Sequence, residues 1–139
     1  MATVTRSVAY NEKFFRYLLE NESQRSEHSG HLYQILLVYH TNEQGAIVPM
    51  DSDVAESVIE ALSQNLRDTD YIGWYCDELV VGGVLTVVRQ ESMAQLSSHV
   101  QRKMAEVLQS KLPTAENRRL QIRVCQYHEL KGTAVEREA

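Results

Sequence analysis

With 139 residues, 24% of them charged and 43% apolar, the chain has the size of one domain, large enough to bury a core without disulfides or a structural metal. Its net charge of -5 and scattered Lys and Arg exclude a non-specific nucleic-acid binder, because neutralising phosphates takes a concentrated basic surface. No apolar run has bilayer-spanning length, the N-terminus lacks the pattern of a signal peptide, and two cysteines are too few for a secreted disulfide scaffold. The chain reads as a single cytoplasmic domain without membrane insertion, with its core between about residues 10 and 130.

The first periodic segment, about Val8 to Gln24, spaces Phe14, Phe15, Leu18 and Leu19 as a helix does, with Tyr10 one turn earlier. The polar stretch Ser23 to Gly30 is expected to end it. HLYQILLVYH follows as a strand whose centre, Ile35-Leu36-Leu37-Val38, is apolar on both faces and therefore interior to a sheet. TNEQGAIVPMD reads as a loop broken by Gly45 and Pro49. A helix then starts near Asp51 to Asp53, with Glu56 in capping-box position and a stripe of Val54, Val58, Ile59, Leu62 and Leu66.

Tyr71 to Tyr75 and Val80 to Val88 form a hairpin around Cys76-Asp77-Glu78-Leu79, and the second arm is again apolar on both faces. A third helix opens at the capping box Ser92 to Gln95, carries Met93, Leu96, Val100, Met104, Val107 and Leu108, and stops before Pro113. LQIRVCQYHE closes the series, alternating as an edge strand does. The order is a helix followed by β-α-β-β-α-β. Right-handed crossovers give this order an α+β, ferredoxin-like antiparallel sheet of strand order 4-1-3-2, with the first and third strands inside. Those are the two strands that the apolar runs make central. Both crossover helices belong on one sheet face, which leaves the other to the N-terminal helix or a partner.

This order, with carboxylates at the tip of the hairpin, resembles the nucleotidyl-cyclase palm and, within it, the GGDEF (diguanylate cyclase) family. FFRYLLENESQRSEHSGHLYQILLV has that family's spacing of aromatic, leucine, arginine and apolar strand, and LSQNLRDTDYIGWYCDELVVGGVL matches its helix end, strand, turn and strand. The resemblance covers residues 10 to 128. Ile72-Gly73-Trp74-Tyr75 and Gly83-Val84-Leu85-Thr86 are similar to a degenerate branch found with bacterial exopolysaccharide systems.

The family's turn has two glycines, two carboxylates and an aromatic. Here it is Tyr75-Cys76-Asp77-Glu78-Leu79, and the Cβ atoms of Tyr75 and Cys76 obstruct the close approach of a nucleotide. The family also places an aspartate at the end of its first strand, where phosphoryl-transfer cations are held from a second side. This chain has Tyr39, His40, Thr41 and Asn42 there, and its next acid, Glu43, falls in the loop. Cys76, Asp77 and Glu78 are therefore expected to be a vestigial signature turn, with no catalytic residues, metal or cofactor.

Other chemistry is less well supported. His28-x-x-His31 lacks a third ligand, and nothing beside Cys76 marks a base or an oxyanion site. A Cys76–Cys125 disulfide would have to join opposite edges of the sheet. Gly82-Gly83 lacks a following Lys-Ser/Thr and reads as a bulge or a close packing point, not a phosphate loop. Trp74 and Tyr75 alternate across an edge strand and are candidate partner contacts. Three functions follow: an inactive cyclase-like regulatory or assembly domain acting through a protein partner or homodimer; a nucleotide or cyclic-dinucleotide sensor using Arg16, Arg25 or Arg67; and, third, an active cyclase.

Overall fold

The computed structural model describes residues 9–66, 70–87, 93–111 and 119–130. Along the chain run α1 (Glu12–Ser29), β1 (Leu32–Thr41), β2 (Ile47–Val48), α2 (Ser52–Asn65), β3 (Tyr71–Cys76), β4 (Val80–Val87), α3 (Met93–Lys111) and β5 (Leu120–Cys125), with a 3-10 turn at Tyr127–Leu130. The five-stranded sheet follows β2-β1-β4-β3, with β5 also on β1; β1, β3, β4 and β5 thus realise the expected order. The long strands pair antiparallel, Leu32 to Tyr39 against Val87 to Val80 and Ile35 to His40 against Cys125 to Leu120. β1 and β4 each have neighbours on both sides, as their two-faced apolar runs predict.

One sheet face is closed by α2 and α3. Leu36, Val38, Ile72 and Val81 meet Val54, Val58, Leu62, Met104 and Leu108 there. The other is closed by α1, where Ile35, Leu37, Val80 and Val84 meet Phe15 and Leu19. The N-terminal helix thus takes the face that the two crossover helices leave.

Several local expectations need correcting. α1 begins later than expected because Tyr10 pairs with the β3 edge, and Asn11 caps the helix by accepting from the Phe14 N–H at 2.9 Å. It also runs on through the polar stretch to Ser29, where Gly30 at φ 79 closes it by donating to Ser26 O. Only Phe15, Leu19 and Glu22 of α1 are buried; Phe14 faces out. The loop after β1 contains a strand: Asn42 Oδ1 accepts from Gln44 and Ala46 N–H, both at 2.9 Å, and Ile47–Val48 turns back onto Thr41 and His40. Asp51 is the N-cap of α2 and makes no side-chain cap bond, which leaves the expected box at Asp53 and Glu56 inside the first turns. The start of the third helix at Ser92, and Pro113 beyond it, lie outside the described residues.

The contact that seats α1 is made possible by missing side chains. Gly73 of β3 and Gly82 of β4 are cross-strand partners, and Phe15 fills the notch they leave. A Cβ on Gly73 would lie 2.6 Å from Phe15 Cδ1 and 2.8 Å from its Cβ, and one on Gly82 would lie 2.9 Å from the ring. Of the expected readings for Gly82, close helix packing is therefore the right one. At Gly83 a Cβ would meet Leu66 Cδ1 at 3.4 Å, the Tyr71 carbonyl at 3.5 Å and Leu36 Cβ at 3.8 Å, close to ordinary contact distances. Gly73→Ala should therefore overpack the notch, costing about 1–3 kcal/mol and lowering Tm by roughly 5–10 °C. In parallel thermal melts Gly83→Ala should lose less than half as much; equal losses would contradict the notch.

Candidate functional site

The hairpin turn is held from three sides. Leu79 N–H closes it on Cys76 O at 3.0 Å, and a register shift between Trp74 and Cys76 puts Tyr75 and Cys76 together on the α1 side. Glu78 has φ 67, the one positive value among described non-glycine residues. That left-handed conformation costs about 1–2 kcal/mol for a side chain bearing Cβ. The Glu78 carbonyl accepts from Met50 N–H at 2.9 Å, a contact that helps hold the conformation.

The first turn of α1 forms a clamp. Glu12 Oε1 accepts from the Asp77 N–H at 2.8 Å. Arg16 donates from Nε to Tyr75 O at 2.8 Å and from Nη2 to Cys76 Sγ at 3.4 Å, and its guanidinium lies 4.1 Å from the Tyr75 ring centroid. Glu12 Oε2 lies 3.3 Å from Arg16 Nε and joins the two. The i,i+4 spacing of Glu12 and Arg16 is visible in the sequence, but the sequence carries no mark that this pair reaches a turn some sixty residues away.

Beside the turn, Val80 pairs with Tyr39, and His40 is buried with Val48 on one side and Leu120 on the other. A strand residue has two flanks, so β2 prolongs the line of β4. The segment from Ala46 to Met50 thereby bridges the end of β1 to the turn. Asn42 is occupied with its own turn, and Glu43 is exposed in it. Asp77 and Glu78 are exposed on one side of this corner, and β1 brings an aromatic ring, an imidazole, a hydroxyl and an amide to the other. Among the described residues no three His, Cys, Asp or Glu side chains come together to hold a metal. The donor set does not fit the divalent cations of a cyclase.

The remaining candidates are spread out. Tyr75 is buried beneath Arg16, on Leu37's side of the sheet. Trp74 is half-buried against the α2–α3 core, and its backbone N–H donates to Tyr10 O at 2.9 Å, which closes part of the β3 edge. Arg25, about 13 Å along α1 from Arg16, pairs with buried Glu22 at 3.3 Å. Glu22 also binds His31 Nε2, while His31 Nδ1 meets Ser29 Oγ and His28 Nδ1 meets Gln24 O. His31 thus serves the α1–β1 junction, while His28 is bonded within α1. Arg67 lies outside the described residues. An acidic groove of about 530 Å³ lies along α2 at Asp53, Glu56, Ser57, Ile59 and Glu60. A groove of about 440 Å³ lies along α3 at His99, Arg102, Lys103 and Glu106. Neither includes the turn.

Both cysteines are buried, on β3 and β5, and neither is in a disulfide. Burial pushes the Cys125 thiol up to about 11, against a smaller opposing pull from Arg123. The Tyr33 hydroxyl is likewise raised, first by burial.

No protein-family model matches the chain, and no curated protein matches it. Among solved structures it is similar to a DGC (diguanylate cyclase) protein from Thermotoga maritima. The two share 14% sequence identity with a TM-score of 0.61, over 86% of this chain and 80% of that one. The fold is thus that of the DGC-like cyclase palm, as the order of elements predicts. No helix among the described residues is long and apolar enough to cross a membrane.

The clamp predicts a change in thiol reactivity. Arg16→Ala uncovers the turn at a stability loss of about 1–3 kcal/mol; it also removes a cation that favours the Cys76 thiolate, but the opening should outweigh that loss, so Cys76 should react several-fold faster with an aromatic disulfide at about pH 8. Cys125, still protonated at that pH, should stay slow and serve as the internal control. An unchanged Cys76 rate would show that the clamp does not shield the turn.

Proposed function

We propose that this domain is catalytically inactive and acts by protein–protein interaction, in regulation or assembly. The observation that carries this reading is the end of β1. Two-metal phosphoryl transfer needs cations gripped from both sides of the reacting phosphate. Opposite Asp77 and Glu78 the chain offers Tyr39, His40, Thr41 and Asn42, with the Ala46 to Met50 segment bonded across the corner. Arg16 and Glu12, on the helix nearest the turn, are spent on each other and on its backbone. What persists is a scaffold with its surface free to be read by another protein. The resemblance to the degenerate branch favours a partner from a bacterial exopolysaccharide system.

The sensor reading draws less support, since Arg16 is engaged by the turn and Arg25 by Glu22. Incubating the chain with GTP or ATP and Mg²⁺ or Mn²⁺, with chromatographic separation of the products, tests the proposal. The expected result is no cyclic mononucleotide or dinucleotide above a no-protein control. Any product that scales with protein, and is lost in Asp77→Ala or Glu78→Ala, would overturn it.

A further inference from the structure

α1 shows the solvent a second face. Opposite the stripe of Phe15, Leu19 and Glu22 that docks on the sheet, Tyr10, Phe14 and Tyr17 are all exposed, at 44%, 44% and 57%. They touch in series: the Tyr10 and Phe14 rings meet edge-on at 5.0 Å, and those of Phe14 and Tyr17 stack at 6.0 Å. Phe14 and Tyr17 lie on α1, and Tyr10 extends them from just before its N-cap, Asn11; linked exposed aromatics of this kind mark an interaction site, whereas scattered exposed apolar residues need no such explanation. Their 4-then-3 spacing continues through Asn21, Gln24 and His28, the register of a helix seam.

We infer that this face pairs with the same face of a second copy of the chain, antiparallel, through Phe14 and Tyr17. The patch is complementary to itself in charge. A twofold axis between Phe14 and Tyr17 lays Phe14 of one copy on Tyr17 of the other and sets Tyr10 against Asn21. The same axis brings Lys13 beside Glu20 twice, once at each end of the contact. Lys13 and Glu20 flank the aromatics on one side, are both exposed, and make no ion pair among the described residues. A parallel pairing would lean instead on Arg25, which Glu22 already holds. At roughly half exposure the three rings offer about 100 Å² each, some 600 Å² for two copies. With the flanking side chains the contact reaches about 1,000 Å², the low end for specific association, so the dimer is weak and reversible.

The inference deepens the reading of a domain that acts by binding, and rests on it. Nucleotide turnover would sink that reading, whereas a monomer sinks only the pairing. Sedimentation equilibrium of the full chain from about 5 to 500 μM tests it. The unmodified chain should pass from monomer to dimer over that range. Tyr17→Ala should weaken association at least tenfold with an unchanged thermal melt, because the ring lies outside the core. Lys13→Glu and Glu20→Lys should each weaken it about fivefold, and the double variant should return to within about twofold of the starting affinity. A chain that stays monomeric, as it would if its own terminal residues or another protein cover the patch, overturns the proposal. So does a dimer indifferent to Tyr17→Ala, or a double variant no better than its parents.

Discussion

Phe15 sits where two neighbouring strands have given up their side chains, and the placement of α1 depends on that fit. Gly73 and Gly82 face each other across β3 and β4, and a Cβ on either would collide with the Phe15 ring or its Cβ. Fully burying such a ring contributes about 1.5–3 kcal/mol, but its larger effect is positional. With Phe15 seated, Arg16 is placed against Tyr75 and Cys76, Glu12 under the Asp77 amide, and Tyr10 along the β3 edge. Phe14 and Tyr17 are left facing solvent. One packing contact thus closes the second sheet face, fixes the turn and sets the outer surface of the domain.

The hairpin tip is tied to two separate parts of the chain. It is bonded to α1 through two residues and to the segment after β2 through a third, Met50. Glu78 keeps a left-handed backbone that favours glycine. The acids remain exposed and the backbone around them is fixed. The facing strand end supplies no anion to share a cation with them.

Much of the architecture could be read from the residues because it rests on long-range regularities. Ile35 to Val38 and Val80 to Val88 are apolar on both faces, which only a central strand explains, and the chirality of crossovers then fixes the strand order. What could not be read depends on contacts between distant segments. The polar half of α1 is helical because Glu22, His31 and Arg25 satisfy one another and Gly30 caps it; its composition alone suggested a loop. β2 is two residues long and is organised by the side chain of Asn42, too short for any periodicity. The shift at Trp74 to Cys76 put Cys76 on the same side of the sheet as Tyr75, and alternation counted along the strand cannot foresee a bulge. The absence of an acid at the end of β1 was legible. The clamp of Glu12 and Arg16 on the turn was not, because a salt-bridged pair on a helix carries no address.

The central claim is that Asp77 and Glu78 have no partner across the corner with which to grip a cation. Paramagnetic broadening of backbone amide signals by Mn²⁺, with a non-hydrolysable GTP analogue present, tests it most directly. The account predicts no more broadening at Asp77 and Glu78 than at isolated exposed acids such as Asp53 and Glu56. Selective loss of the Asp77 and Glu78 signals together with those of His40 to Asn42, at substoichiometric Mn²⁺, would place a metal between the turn and β1 and contradict the account.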